Sequence, residues 1–151
     1  MLFSPIKYDS PHYELELSLR DEVLRKPLGL RIEDDDLSLE PDQWHFGLFD
    51  KKELIACVIA IPHSPKRAQV RQMAVAHQRQ KTGCGREIML SLEDYLISKG
   101  VEEIFLHARV QVAGFYQKLG YHPIGEIFTE VGIPHQKMRK STGDQVLKSR
   151  D

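Results

Sequence analysis

The spacing of apolar residues predicts a helix near the start of the chain. Ser10 is a favourable N-cap, and Pro11 suits the first helical position. Apolar side chains then recur at every fourth position, at Leu15, Leu19 and Val23. This period predicts a helix over 11–25, and the proline and glycine that follow would end it.

Three strands are predicted after this helix. Residues 44–50 alternate between apolar and polar side chains, which is typical of a strand with one buried face. Residues 54–61 are apolar on both faces and predict a central strand, ended by the two prolines of 62–65. Residues 68–75 predict the next strand, so the three segments form an antiparallel meander.

The second half of the chain alternates helices and strands. Apolar periodicity predicts a helix over 84–99, a buried strand over 102–108 and a second helix over 111–119. The first of these helices then joins two parallel strands through a right-handed crossover. Two final strands surround a turn at Gly132. The predicted fold class is α/β with a mixed sheet.

The acidic segment 30–43, which contains Glu33, Asp34, Asp35 and Asp36, is predicted as a solvated loop or short helix. The alternative is an acidic rim around a binding pocket. In that case the preferred ligands would be cationic, and added salt would weaken their binding.

Composition favours one soluble domain. The 151 residues are 41% hydrophobic and 28% charged, which is enough for a real core. A net charge of −1 creates no global field that would attract nucleic acid or an anionic membrane. The first residues lack the apolar run of a signal peptide, and two cysteines make no disulfide framework. We therefore predict a cytoplasmic protein without nucleic-acid or membrane partners, with one domain over 1–140 and a flexible tail over 141–151.

The candidate chemistry lies where the strand 68–75 leads into the next helix. The strand ends in Met73, Ala74 and Val75, and the loop that opens the helix reads Gln80-Lys81-Thr82-Gly83-Cys84-Gly85-Arg86. Backbone N–H groups and the helix dipole attract anions at such a position, and glycines allow close approach. The loop therefore predicts a pyrophosphate site. The Walker A motif of P-loop proteins is absent, and Ile88 stands where a dinucleotide-binding fingerprint needs glycine or alanine. The loop therefore matches neither of these two nucleotide-binding motifs.

Three stretches resemble the GNAT superfamily of N-acetyltransferases. The Q-x-x-G-x-G pattern of the loop is similar to its acetyl-CoA loop, and A-G-F-Y-Q-K-L-G-Y at 113–121 is similar to its A-x-x-F-Y-x-K-x-G-F segment. Residues 128–138 resemble the F-x-E-x-G-I-P-H-x-x-M ending of the small ElaA-like branch. Val110 stands where many members carry asparagine, so one hydrogen bond to the pantetheine arm is expected to be missing.

This resemblance implies a mostly antiparallel mixed sheet, flanked by helices, whose central parallel strands splay around acetyl-CoA as cosubstrate. The implied cofactor-binding residues are Met73, Ala74, Val75, Gln80, Lys81, Thr82, Gly83, Cys84, Gly85, Arg86 and Tyr116. Tyr116 would lie beside the thioester sulfur and protonate the departing thiolate. A plain core aromatic is the alternative for Tyr116.

An amine acceptor requires help to lose its proton. With a pKa of ~10.4, about 1 of 2,500 molecules is neutral at pH 7. The strand 68–75 offers no suitable base, which directs the search to His107, Glu126, Glu130 and His135. We rank Glu130 and His135 above His107, because the final hairpin should lie nearer the acceptor. Together with Tyr116 these three are the catalytic candidates; an ordinary structural role is the alternative for both histidines. The seven histidines are scattered, so no metal site is predicted.

The predicted function is transfer of an acetyl group from acetyl-CoA to a primary amine by direct attack. The acceptor is a small-molecule or peptide amine that the sequence does not identify, and a homodimer is compatible with the sequence. The first alternative is a non-catalytic GNAT-like module that binds coenzyme A or regulates a partner. A nucleotide-binding regulator is the second.

Overall fold

The computed structural model describes residues 1–143, in which one mixed sheet of seven strands is accompanied by three α-helices. The strands are β1 Leu2–Ile6, β2 Trp44–Asp50, β3 Glu53–Ser64, β4 Arg67–Val75, β5 Glu103–Arg109, β6 His122–Glu130 and β7 Ile133–Ser141. The helices are α1 Pro11–Arg20, α2 Cys84–Ser98 and α3 Ala113–Lys118. The strand order β1-β2-β3-β4-β5-β7-β6 confirms the predicted fold class.

The parallel pair at the centre of the sheet is β4 and β5, as the crossover through α2 predicts. Their register joins Arg67–Val70 to Glu103–Leu106 and ends there, although both strands continue. On the other side of β5, β7 pairs antiparallel over the whole strand, and β6 pairs antiparallel with β7.

The N-terminal region differs from its prediction in two respects. Residues Leu2–Ile6 form a strand, β1, that pairs antiparallel with β2 and was not predicted. Ser10 caps α1 as predicted, because its hydroxyl accepts a bond from the Tyr13 N–H. However, the α-helix ends at Arg20, and the chain continues through a π-helical turn, Asp21–Arg25.

The predicted end of the third strand at position 61 is wrong. Strand β3 continues through Pro62 to Ser64. The register between β2 and β3 ends at Ala60, so the missing N–H of Pro62 interrupts no bond to β2.

The residues group into two compact units, and each is described separately below. Unit 1 contains Met1–Ile61 and Gln72–Asp94, and its core is built on the buried residues of β2 and β3. Unit 2 contains Pro62–Arg71 and the described residues from Tyr95 onwards, with Ile104 and Met138 fully buried.

Near the end of the described residues, Ser141 and Thr142 belong to regular structure or contact it. Strand β7 ends at Ser141, and Thr142 is buried, with its hydroxyl donating to the Val101 carbonyl at 2.7 Å. Residues 144–151 lie outside the described part, so the flexible tail and the single-domain boundary stay predictions. Across residues 1–143, every helix is too short or too polar to cross a membrane.

Candidate active site

In unit 1, the predicted cofactor loop is held by its own hydrogen bonds. Met73, Ala74 and Val75 form the end of β4, and the Gln80 side-chain amide donates to the Val75 carbonyl at 3.0 Å. The Thr82 hydroxyl donates to the Arg79 carbonyl and lies 3.2 Å from the Cys84 sulfur. These contacts within the chain shape the loop.

Gly83 leaves open space at the start of α2. Its φ is +89°, and no heavy atom lies within 4 Å of the position that a Cβ would take. The helix begins at the next residue and is 15 residues long, so its first N–H groups and its dipole favour an anion. The side chains of Lys81 and Arg86 are exposed beside it. These features fit a pyrophosphate.

Arg79 also lies next to this loop, but its charge is paired with an acidic residue. Its guanidinium binds the Asp50 carboxylate at 2.7 Å. The hydrogen bond and charge of this pair raise the pKa of Arg79 and lower the pKa of Asp50. Arg79 therefore connects the loop to the end of β2 through an ion pair and is not an unpaired cation.

In unit 2, strands β5, β6 and β7 bring three predicted residues together. His107 Nδ1 lies 3.1 Å from one Glu130 oxygen, and His135 Nε2 lies 3.7 Å from the other. His135 Nδ1 is 2.9 Å from the Ile133 carbonyl oxygen. The Phe128 ring meets the His107 ring edge-on, with centroids 5.0 Å apart. Glu126, the other candidate base, is exposed on β6.

These contacts indicate which ring nitrogen of His107 and of His135 carries a hydrogen. A carboxylate or carbonyl oxygen only accepts hydrogen bonds, so Nδ1 of His107 and Nδ1 of His135 each carry a hydrogen. In neutral His107 the lone pair is then on Nε2. A carboxylate that fixes the tautomer and the orientation of an imidazole is the arrangement that serves general-base catalysis in the Ser-His-Asp triad.

Tyr116 lies on α3 of unit 2, where its ring packs edge-on against Phe115 and Tyr121. The residue is 7% exposed. Burial raises the pKa of the phenol, and the charge of Arg109 opposes this effect. A phenol that holds its proton firmly at neutral pH can act as a hydrogen-bond donor, and the raised pKa makes it a weaker acid.

Unit 1 also contains a buried charge network that the sequence did not reveal. The Arg20 guanidinium binds Glu16 at 2.9 Å and both oxygens of Glu40 at 2.8 and 2.7 Å. The Tyr13 hydroxyl donates to Glu40 at 2.7 Å. His45 Nδ1 lies 3.0 Å from both Glu16 oxygens, and its Nε2 lies 2.9 Å from the Glu40 carbonyl oxygen.

This network places charged residues on the buried face of α1. Tyr13, Glu16 and Arg20 are buried, whereas Leu15 is 43% exposed. Of the apolar residues at every fourth position, Leu19 is partly buried against the apolar core that contains Tyr13. Residues three and four positions apart lie on the same face of a helix, and on this buried face of α1 they include the charged Glu16 and Arg20. These charges can be buried because they bond to Glu40 and His45.

Both ring nitrogens of His45 face acceptors, so both carry hydrogens and the ring is a cation. Arg20 and His45 then balance the charges of Glu16 and Glu40. Burial by itself lowers the pKa of His45, but the hydrogen bond and charge of Glu16 outweigh it and raise the pKa. For Glu40, burial is outweighed by the bonds from Arg20, and the pKa is lowered.

Glu16, Glu40 and His45 offer ligand atoms within 4.8 Å of one another, a spacing that a metal ion could use. The Arg20 guanidinium already binds both carboxylates, and both nitrogens of His45 are protonated. The geometry therefore supports an ion-pair network rather than a metal centre.

The raised pKa of His45 predicts how the stability depends on pH. Because the folded protein binds this proton more tightly than an unfolded histidine (pKa ~6.5), the resulting stabilisation is complete below pH ~6.5. It is lost as the pH rises through the folded-state pKa. The stability difference between wild type and His45→Gln should thus fall above pH ~6.5, by at most about 1.4 kcal/mol per pH unit.

Urea unfolding of both proteins at a series of pH values measures this difference. His122→Gln, which changes an exposed histidine of β6, is the control and should show no such trend. A constant difference for His45→Gln across the neutral range would contradict the assigned protonation.

The acidic segment after α1 forms the loop that was predicted, with two short helical turns. Asp35 binds Arg25 at 2.8 Å, the Asp36 carboxylate accepts from the Ser38 N–H at 3.0 Å, and Glu33 lies 3.4 Å from Arg31. Two of these carboxylates are therefore paired with arginines, and the acidic rim stays an alternative prediction.

Comparisons with known proteins show the family and the fold of the chain. A family model described as an acetyltransferase (GNAT) domain matches residues 30–142. The protein YyaT of Bacillus subtilis (strain 168) is 40% identical over 73 residues, which are 48% of this chain and 49% of YyaT. The chain thus matches this relative over about half of its length.

Solved structures share the fold over almost the whole chain. Escherichia coli ElaA has a TM-score of 0.78 at 22% identity and covers 93% of this chain and 99% of its own. An aminoglycoside 6'-N-acetyltransferase in complex with coenzyme A has a TM-score of 0.74 at 21% identity, with coverage of 94% and 97%. Since the family model spans most of the chain and the fold agrees, this protein belongs to the GNAT acetyltransferase family.

Proposed function

We propose that this protein transfers an acetyl group from acetyl-CoA to a primary amine. The observation that carries the proposal is the Glu130–His107 pair, in which the carboxylate lies 3.1 Å from Nδ1 of the imidazole on the strands of unit 2. Family membership and the coenzyme A complex of the aminoglycoside 6'-N-acetyltransferase support the choice of donor. The acceptor class of that neighbour, an amine, supports the choice of acceptor.

The loop of unit 1 would hold the cosubstrate. Acetyl-CoA supplies an activated thioester when bound. The backbone amides at the start of α2 would bind its pyrophosphate, and Lys81 and Arg86 would add positive charge. The backbone of Met73–Val75 at the end of β4 would bind the pantetheine arm, as the family resemblance implies.

The residues of unit 2 would move the protons. Deprotonating an ammonium of pKa ~10.4 at pH 7 costs about 4.6 kcal/mol. His107 Nε2 would accept this proton, while Glu130 keeps the ring oriented and stabilises the imidazolium that forms. Tyr116 keeps its proton at neutral pH because burial raises its pKa, and it would donate a hydrogen bond to the leaving thiolate. Cytoplasmic location and oligomeric state stay predictions.

Thiol release from acetyl-CoA with a panel of primary amines tests the reaction. Acetyl transfer to at least one amine is expected, with the product identified by mass spectrometry. Tight coenzyme A binding without transfer to any amine would instead favour the non-catalytic module.

Replacement of Gly83 by valine tests the cofactor loop. The new side chain would fill the open space where the pyrophosphate must approach the backbone. We expect coenzyme A to bind at least ten times more weakly, a loss of at least about 1.4 kcal/mol, by calorimetry. Gly85→Val should have the same effect.

Gly29→Val is the matched control for backbone strain. Gly29 also has a positive φ, +71°, and no atom near its Cβ position, but it lies outside the loop. This variant should lose similar stability and still bind coenzyme A normally. Unchanged affinity in folded Gly83→Val protein would contradict the loop assignment.

A further inference from the structure

The two faces of the strands in unit 2 differ in polarity: one is buried and mostly apolar, and the other carries several charged side chains. On one face Ile104, Leu106 and Met138 are buried, and Lys140 donates to the Leu119 carbonyl at the end of α3. Because side chains alternate along a strand and directly opposed residues share a face, His107 shares the other face with its register partner Lys137. The register adds to this second face Arg67, Glu103, Phe105, Arg109, His135 and Arg139.

The second face carries an excess of cations beside the proposed base. Arg67 and Arg139 share one carboxylate, Glu103, at 2.6 and 3.2 Å. Glu130 is already bound to His107. The positive groups thus outnumber the acidic groups on this face. A second ammonium on an acceptor would be repelled there, and an anionic group would be attracted.

Lys137 is the cation on this face that is best placed to bind a ligand. Its ammonium lies 4.9 Å from the centroid of the Phe105 ring, and the Arg67 guanidinium lies 3.9 Å from the same centroid. No carboxylate lies within 4 Å of the Lys137 ammonium among residues 1–143. The aromatic ring positions the lysine without neutralising it.

We propose that the acceptor is an amine that also carries an anionic group, a carboxylate or a phosphate, and that Lys137 binds this group. The inference rests on the proposed function, since His107 would receive the proton of the same acceptor. Lys137 is therefore a specificity-determining residue. The cross-strand neighbours His107 and Lys137 have Cβ atoms only ~5 Å apart. A compact amino acid or aminoalkyl phosphate spans such a site, whereas a polyamine does not match its charge.

Matched acceptor pairs test this specificity. One arm compares ω-amino acids of increasing length with their carboxamides, and the other compares phosphoethanolamine with ethanolamine. We expect wild type to prefer the anionic member of at least one pair, which also separates carboxylate from phosphate. Lys137→Met should lower the ratio of kcat/KM between anionic and neutral acceptors about tenfold, mainly through KM. Lys137→Arg should restore most of the ratio.

Lys118→Met, which removes an exposed lysine of α3, is the control and should leave the ratio unchanged. Equal use of both members of every pair by wild type would overturn the inference while leaving acetyl transfer intact, as would an unchanged ratio in Lys137→Met. If no amine is acetylated, the proposed function fails and nuclear magnetic resonance titration decides the inference. Selective binding of the anionic probes, lost in Lys137→Met, supports the site, and equal binding of both members overturns it.

Discussion

Replacing His107 with glutamine is expected to lower kcat by about 10²- to 10⁴-fold, the usual contribution of a general base. Glutamine can still donate a hydrogen bond to Glu130, but it has no lone pair that can take up the amine proton at neutral pH. The pH dependence of kcat/KM should change as well. The part of the wild-type profile that depends on an imidazole base should be absent in the variant.

Two further variants separate catalysis from folding. His122→Gln alters an exposed histidine of β6 and should keep the wild-type profile. Glu130→Gln should reduce kcat less severely than His107→Gln, because it disturbs the tautomer and orientation of the base without removing it. Wild-type kcat and an unchanged pH profile in His107→Gln would contradict the assignment, and the base would then be sought at His135 or in a water chain.

Replacing Arg20 with methionine should lower the free energy of unfolding by about 3–5 kcal/mol. Arg20 is fully buried and binds both Glu16 and Glu40, so its removal leaves two buried carboxylates with only one cation, His45, between them. A typical domain is stable by only about 5–15 kcal/mol, and the variant should be marginally folded. Urea unfolding followed by circular dichroism measures the change.

The exposed pair Arg31–Glu33 provides the comparison. Its side chains are 71% and 60% exposed, and Arg31→Met should change stability by about 0–1 kcal/mol. A variant in which Arg20, Glu16, Glu40 and His45 are all replaced by apolar residues of similar size should recover much of the loss, because no buried charge is then unpaired. A small effect of Arg20→Met alone would mean that water reaches the network and solvates the carboxylates.

Local features of this protein follow from neighbouring residues and could be predicted from the sequence. Strand β2 has the predicted bounds 44–50, and Ser10 caps α1 as expected. The GNAT resemblance of the loop at 80–86 and of the segment at 113–121 is confirmed by the family match. In each case the signal lies within a few residues, as an apolar period, a cap or a glycine-bearing turn.

Other features depend on partners that are distant in sequence. Strand β1 is a strand because β2 lies beside it, and no local pattern distinguished it from a loop. Glu16 and Arg20 have the spacing of a surface pair on a helix, and only Glu40 and His45, contributed by later segments, make that face a buried one.

The candidate base also combines features that the sequence predicts with contacts that only the fold provides. The sequence by itself determined that His107, Glu130 and His135 were the candidates, because few other residues near the predicted site could accept a proton. Only the tertiary structure decided that Glu130 contacts His107, and that Lys137 shares its face of the sheet. The reason is physical: these contacts depend on the register of β5, β6 and β7. A shift of one residue in that register would turn the side chains to the opposite face.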